Sequence, residues 1–157
     1  MEIRIFQHGD HSAIAEIFTR AIHETASAFY SREQCLAWSD PTPNPDHWAK
    51  RCELKRPFVA ILHGQIAGFL ELDPDGHLGC LYVHPDCQRQ GVASRLVRHA
   101  IATCFGMRVN RLHVEASYCA RPLFEKLGFT LIAENCARIR GQELNNFFME
   151  LTAPSQP

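Results

Sequence analysis

An apolar run, a polar turn and an amphipathic stretch follow one another between residues 78 and 104, and the turn most constrains the fold. Leu78, Cys80, Leu81, Tyr82 and Val83 read as a strand. His84-Pro85-Asp86-Cys87-Gln88-Arg89-Gln90-Gly91 crosses polar ground, and Leu96, Val97, Ala100, Ile101 and Cys104 then recur at helical spacing. The first N–H groups of a helix lack intrahelical partners, and the helix dipole places partial positive charge beside them. A small-residue turn entering a helix therefore suits a phosphate. Gly91 and Ala93 keep side chains clear where a pyrophosphate lies on backbone. No Gly-Lys-Ser/Thr follows the glycine, which argues against a nucleoside-triphosphatase loop.

The spacing Gln88-x-x-Gly91-x-Ala93, preceded by Val83-x-Pro85, resembles the acetyl-CoA signature of the GNAT superfamily of N-acetyltransferases. Downstream, Ala120-Arg121-Pro122-Leu123-Phe124-Glu125-Lys126-Leu127-Gly128-Phe129 resembles the segment that follows the family's fifth strand. The resemblance implies an α/β (mixed α+β) fold. Its central sheet is mostly antiparallel, splayed after the fourth strand and flanked by helices. One N-acetyltransferase domain is expected over residues 1–153, a small member of bacterial type, with 154–157 as a tail.

The rest of the chain supplies matching elements. Ile3 and Ile5 open a strand, and Asp10 is placed to cap a helix carrying Ile14, Ile17, Phe18, Ala21 and Ile22. Ser31-Arg32-Glu33-Gln34 has capping-box form. Three prolines between Asp40 and Asp46 make a rigid loop, after which Asp46 is expected to cap a short helix. Residues 57–62, 66–72 and 78–83 read as an antiparallel meander, with turns at His63-Gly64-Gln65 and Asp73-Pro74-Asp75-Gly76. Residues 112–116 form a short strand, Pro122 opens a helix that Gly128 ends, and 129–133 and 147–151 are the final strands.

By resemblance, Leu81, Tyr82 and Val83 offer backbone to the pantetheine arm. Gln88, Arg89, Gln90, Gly91, Val92, Ala93 and Ser94 hold the pyrophosphate, with Arg89 adding charge-assisted bonds. Arg95 and Arg98 read as solvated helix-face charges. Ser117 takes the place of a frequent cofactor-contacting Asn, and Phe124 the place of the Tyr that often serves as general acid. Phe124 has no proton to give. Either the thiolate leaves unassisted or with water, or Tyr118 substitutes. For the general base, His77 occupies the neighbourhood of a frequent Glu and has a suitable intrinsic pKa, with Glu71 and Glu115 as further candidates. Against this stands a plain turn histidine after Asp75-Gly76. Tyr30, Trp38 and Asn145 are expected at the acceptor pocket, although Trp38 reads equally well as a core anchor.

Composition narrows the partners. With 16 Lys and Arg against 17 Asp and Glu the net charge is −1, so no basic field points to nucleic acid. No window is apolar enough for a membrane span, and the start of the chain lacks a signal peptide. The 7 cysteines are odd in number without a Cys-x-x-Cys pair, which reads as reduced thiols of a cytoplasmic protein. The 9 histidines form no metal-ligand set, and no metal is expected. The expected activity is transfer of an acetyl group from acetyl-CoA to a primary amine of a small molecule by direct attack. Two readings stand beside it: acetylation of a protein or peptide N-terminus, and a non-catalytic acetyl-CoA sensor. Both a monomer and a homodimer fit.

Overall fold

The computed structural model describes residues 1–154; the last three residues of the expected tail lie outside the described residues. Strand β1 (Glu2–Ile5) leads into helix α1 (His11–Arg20), which continues through a π turn (Ala21–Thr25) and a 3-10 turn (Ala26–Ala28). Helix α2 (Arg32–Trp38) starts at a capping box: the Gln34 N–H donates to Ser31 Oγ at 3.1 Å, and the Ser31 N–H donates to Gln34 Oε1 at 2.8 Å. Helix α3 (Pro45–Lys55) corrects one expectation, because Asn44 caps it and Asp46 lies in its first turn. Asn44 Oδ1 accepts from the His47 N–H at 3.0 Å, and Pro45 fills the first helical position, where its missing N–H is not needed. Asp10 does stand at the start of α1, but its carboxylate makes no cap. It accepts instead from the Gln7 N–H at 2.8 Å and pairs with Arg4 at 2.7 Å.

The meander forms as strands β2 (Phe58–Leu62), β3 (Gln65–Leu72) and β4 (Leu78–Val83), with β1 added at the outer edge. Helix α4 (Val92–Gly106), strand β5 (Arg111–Ala116) and helix α5 (Arg121–Lys126) follow. The last strands, β6 (Thr130–Ile139) and β7 (Gln142–Thr152), are far longer than the apolar runs suggested. Their turn is only Arg140-Gly141, with φ of 46° and 81°, the pattern of a type I′ hairpin. Residues 130–136 are all exposed, so the alternation that betrays a half-buried strand is missing from β6.

Two antiparallel sheets result, ordered β1-β2-β3-β4 and β5-β7-β6. Helix α4 covers one face. Leu96, Val97 and Ala100 pack there with Leu70, Leu112, Phe124 and Met149. Gly68 permits this approach, since a Cβ there would stand 2.8 Å from the Tyr82 carbonyl oxygen and 3.0 Å from Val92 Cγ1. Helices α1 and α3 cover the other face of the first sheet, with Ile14, Ile17 and Trp48 against Val59 and Phe69. A third cluster of Ile22, Tyr30, Cys35 and Leu144 joins the helical region to the second sheet.

Candidate active site

Among the described residues, the backbones of the two sheets pair at one end. His77 pairs with His113 in a parallel bridge, and the His113 N–H donates to the Gly76 carbonyl at 3.0 Å. Gly76 sits at φ 90°, and a Cβ there would collide with the Arg111 carbonyl, so the closed end requires glycine. From there β4 and β5 belong to separate sheets, and a cavity of about 460 Å³ occupies the gap between them. Leu81, Tyr82 and Val83 form one wall, and Val114, Ala116 and Ser117 the other.

The far end of the gap is the turn that enters α4. Gly91 adopts φ 78° at the start of α4, and a Cβ there would point into open space. The first intrahelical bond runs from the Arg95 N–H to the Gly91 carbonyl at 3.0 Å. The N–H groups of Val92, Ala93 and Ser94 precede it and have no carbonyl one turn back. All three residues line the cavity, as do Gln88, Arg89 and Gly91. Two contacts fix the turn: Gln88 Nε2 donates to Thr25 Oγ1 at 2.7 Å, and Arg20 Nη1 lies 3.0 Å from His84 Nε2. Thr25 belongs to the π turn, so this irregular segment anchors the turn and lines the cavity with Ala21 and Ala26. Only an apolar helical stripe marked that region in the sequence, and a stripe carries no sign of a π turn.

Other expected residues are distributed unevenly. Gln90 is not among the lining residues; its side-chain amide reaches the Asp86 carbonyl at 3.4 Å. Phe124 is buried at the cavity wall, its ring meeting Phe129 edge-on at 5.0 Å between centroids. Trp38 lines the cavity, whereas Tyr30, Tyr118 and Asn145 do not. Tyr30 is buried. Its hydroxyl donates to the Asn145 carbonyl at 2.8 Å and accepts from the Tyr118 N–H at 3.1 Å, so it ties the loop after β5 to β7. The Tyr118 ring packs between Tyr30 and Phe147.

His77 is outside the cavity too, but it touches a residue that is not. Its Nδ1 lies 3.2 Å from Asp73 Oδ2, and its Nε2 lies 2.6 Å from Glu115 Oε2, the one carboxylate among the cavity residues. Burial opposes charge on the ring, but the bonds to Glu115 and Asp73 outweigh it and hold the imidazole pKa above its ordinary value. Both ring nitrogens are engaged, so neither is free for an amine proton. Glu71, another expected candidate, is buried and gripped by Arg51 through two bonds of 2.7 Å. It opposes the bulge of β4 at Gly79-Cys80, where a Cβ on Gly79 would come within 3.0 Å of Glu71 Oε2. Burial, reinforced by the Glu71 charge, pushes the Cys80 thiol up to about 12, so it is protonated at neutral pH.

A split sheet whose gap ends on unpaired helix N–H groups is the architecture of an acyl-CoA-dependent transferase. The comparisons agree. The sequence profile described as "Acetyltransferase (GNAT) domain" matches residues 26–147. YafP of Escherichia coli K12, described as an uncharacterized N-acetyltransferase, is 33% identical over 149 residues, 95% of this chain and 94% of that one. Among solved structures, a GCN5-related N-acetyltransferase from Rhodopseudomonas palustris superposes with a TM-score of 0.89 at 28% identity, covering 96% of this chain and 94% of the other. YncA of Salmonella typhimurium, solved with its cofactor acetyl-CoA, gives 0.72 at 22% identity, covering 100% and 96%. The chain belongs to the GNAT acetyltransferase family. No helix among the described residues is long and apolar enough to cross a membrane.

Proposed function

We propose that the protein moves the acetyl group of acetyl-CoA onto a primary amine of a small molecule by direct attack. The observation that carries this reading is the unpaired set of N–H groups at Val92, Ala93 and Ser94, opening into the gap between β4 and β5. Acetyl-CoA supplies an activated thioester on a pyrophosphate-bearing arm. The α4 start holds the diphosphate, with Arg89 beside it, and β4 from Leu81 to Val83 aligns the arm. The Val83 N–H, in a non-hydrogen-bonded pair with Gly68, points away from β3 and is the proposed donor to the oxyanion.

The acceptor enters beside Trp38 and Tyr82, which line the cavity together with the π turn. These aromatic walls favour a compact acceptor over an extended chain. Glu115 takes the amine proton, directly or through one water, and His77 positions it from behind with a bond of 2.6 Å. Tyr118 has its ring against Tyr30 and Phe147 and is not among the residues that line the cavity, which supports departure of the thiolate without a protein acid.

The test is thiol release from acetyl-CoA with a panel of amines, polyamines, amino acids and N-terminal peptides, run beside calorimetric binding of acetyl-CoA. Turnover with a small amine is the expected result. Turnover only with peptides moves the acceptor to a protein N-terminus. Tight binding without turnover across the panel makes the protein a sensor, a reading that Phe124 in place of a hydroxyl favours.

A further inference from the structure

Strand β6 ends the second sheet, and among the described residues no strand lies on the outer side of its ten residues Thr130–Ile139. Such an edge is a template for another strand unless something blunts it. Which residues it offers follows from the hairpin. The type I′ turn at Arg140-Gly141 makes Ile139 and Gln142 a hydrogen-bonded pair, and pair type then alternates along the ladder. Glu134, Cys136 and Arg138, opposite Phe147, Asn145 and Glu143, are therefore the non-bonded pairs, and their N–H and C=O groups point outward. Two contacts agree. The carbonyls of Asn145 and Glu143 are taken on their far side by Tyr30 Oη and Gln34 Nε2, each at 2.8 Å, not by β6.

We infer that β6 pairs antiparallel with β6 of a second copy about a two-fold axis at Cys136. That register is self-complementary in backbone and in charge. It sets Glu134 opposite Arg138 of the other copy twice, and Cys136 opposite Cys136. All of these belong to the outward-bonding set, so about six N–H···O bonds close the ladder. On the other face it sets Ala133 against Ile139 and Asn135 against Ala137, small against large, without like charges. A register shifted by one residue would align groups that already bond to β7. A slide of four, with the axis at Glu134 or Arg138, would place like charges directly opposite, and a slide of two, with the axis at Asn135 or Ala137, would keep the outward set but lose both Glu134–Arg138 pairs. Arg138 keeps its bond to Glu143 at 3.0 Å, and its guanidinium has donors to spare for a second carboxylate.

Sedimentation equilibrium of the full chain under reducing conditions, from about 1 to 100 µM, reads the dimer constant. Glu134→Arg and Arg138→Glu, both exposed positions remote from the cavity, are each expected to weaken the dimer about tenfold. The double swap Glu134→Arg/Arg138→Glu should restore it. Diamide adds a second readout. Two Cys136 thiols give up two protons and two electrons to it, forming one disulfide and the reduced hydrazine. Hydrogen-bonded pairs place Cα atoms about 5.5 Å apart, within disulfide reach. Cross-linking should vanish in Cys136→Ser and fall in each single swap. A monomer throughout the range, or a dimer and cross-link indifferent to the swaps, overturns the proposal.

Discussion

The two ends of the seam between β4 and β5 are built from opposite chemistry. At the closed end, His77 and His113 stack with centroids 5.0 Å apart, and Asp73 and Glu115 flank the His77 ring. At the open end, apolar β4 residues and bare N–H groups face a cavity. Two strands that would otherwise pair along their length are fastened by backbone and side chains at one end and parted around a cavity at the other. Stability should therefore be concentrated at the closed end and binding at the open end, and variants can test that division.

Gly91→Glu should have the largest effect on binding. It places bulk and negative charge at the proposed diphosphate site, and affinity for acetyl-CoA should fall about a hundredfold or more in calorimetry. Gly91→Ala separates charge from strain. At φ 78° a Cβ costs about 1 kcal/mol, yet it points into open space. That variant should lose a little stability and keep most of its affinity. Equal loss of binding in both would mean that the turn conformation, not the open face, governs recognition.

Gly76→Ala tests the closed end in the reverse sense. Its Cβ would meet the Arg111 carbonyl at a φ of 90°, so β5 must shift or the turn must open. The expected cost is about 3 kcal/mol, roughly 10 °C in Tm for a chain of this size. A variant with unchanged Tm would break the claim that this end holds the sheets together.

How much of this division was legible depends on whether the decisive feature is local. The turn into α4 was readable because Gly91 and Ala93 act through their own backbone, whereas the Gln88 bond to Thr25 joins residues 63 apart. The splayed sheet came with the family resemblance rather than from the residues. The closed end was half-visible: His77 stood out as a titratable side chain after a turn, but its bond to Glu115 joins residues 38 apart. The role of Tyr30 was hidden for the same reason, since its partners at Tyr118 and Asn145 are brought near only by the fold. Strand β6 was cut short because an edge exposed on both faces carries no periodic signal.

The pH dependence of stability sharpens the comparison further. The His77 pKa is raised in the folded protein, so its contribution is full below about 6.5 and is lost as pH rises through the higher folded value. Asp73 is held below its ordinary value by Lys55 and His77 although burial opposes the charge, so its contribution is present above about 3.8 and lost as pH falls from there. The clasp is strongest between these limits. His77→Gln should flatten the decline on the alkaline side, a difference of roughly 2 to 4 °C in Tm between pH 6 and pH 9, since the groups are part-exposed. An identical alkaline decline in the variant would remove His77 as the fastening group.

Phe124→Tyr is the smallest expected effect and bears on the open end. A protein acid on the leaving group is worth about a hundredfold or more where its absence limits the reaction. If thiolate departure limited turnover here, a phenol at position 124 would raise kcat by a factor of that order. Thiolates, however, leave readily without a proton, and the Phe124 ring is packed edge-on against Phe129 within the core. A hydroxyl there must find a partner in the cavity or stay unsatisfied at a cost of about 1 to 3 kcal/mol. The expected outcome is a kcat within about threefold of the parent and a lower Tm, measured with whichever amine the panel identifies. A large gain in kcat would show that protonation of the thiolate is the slow step and that this chain lacks its catalyst.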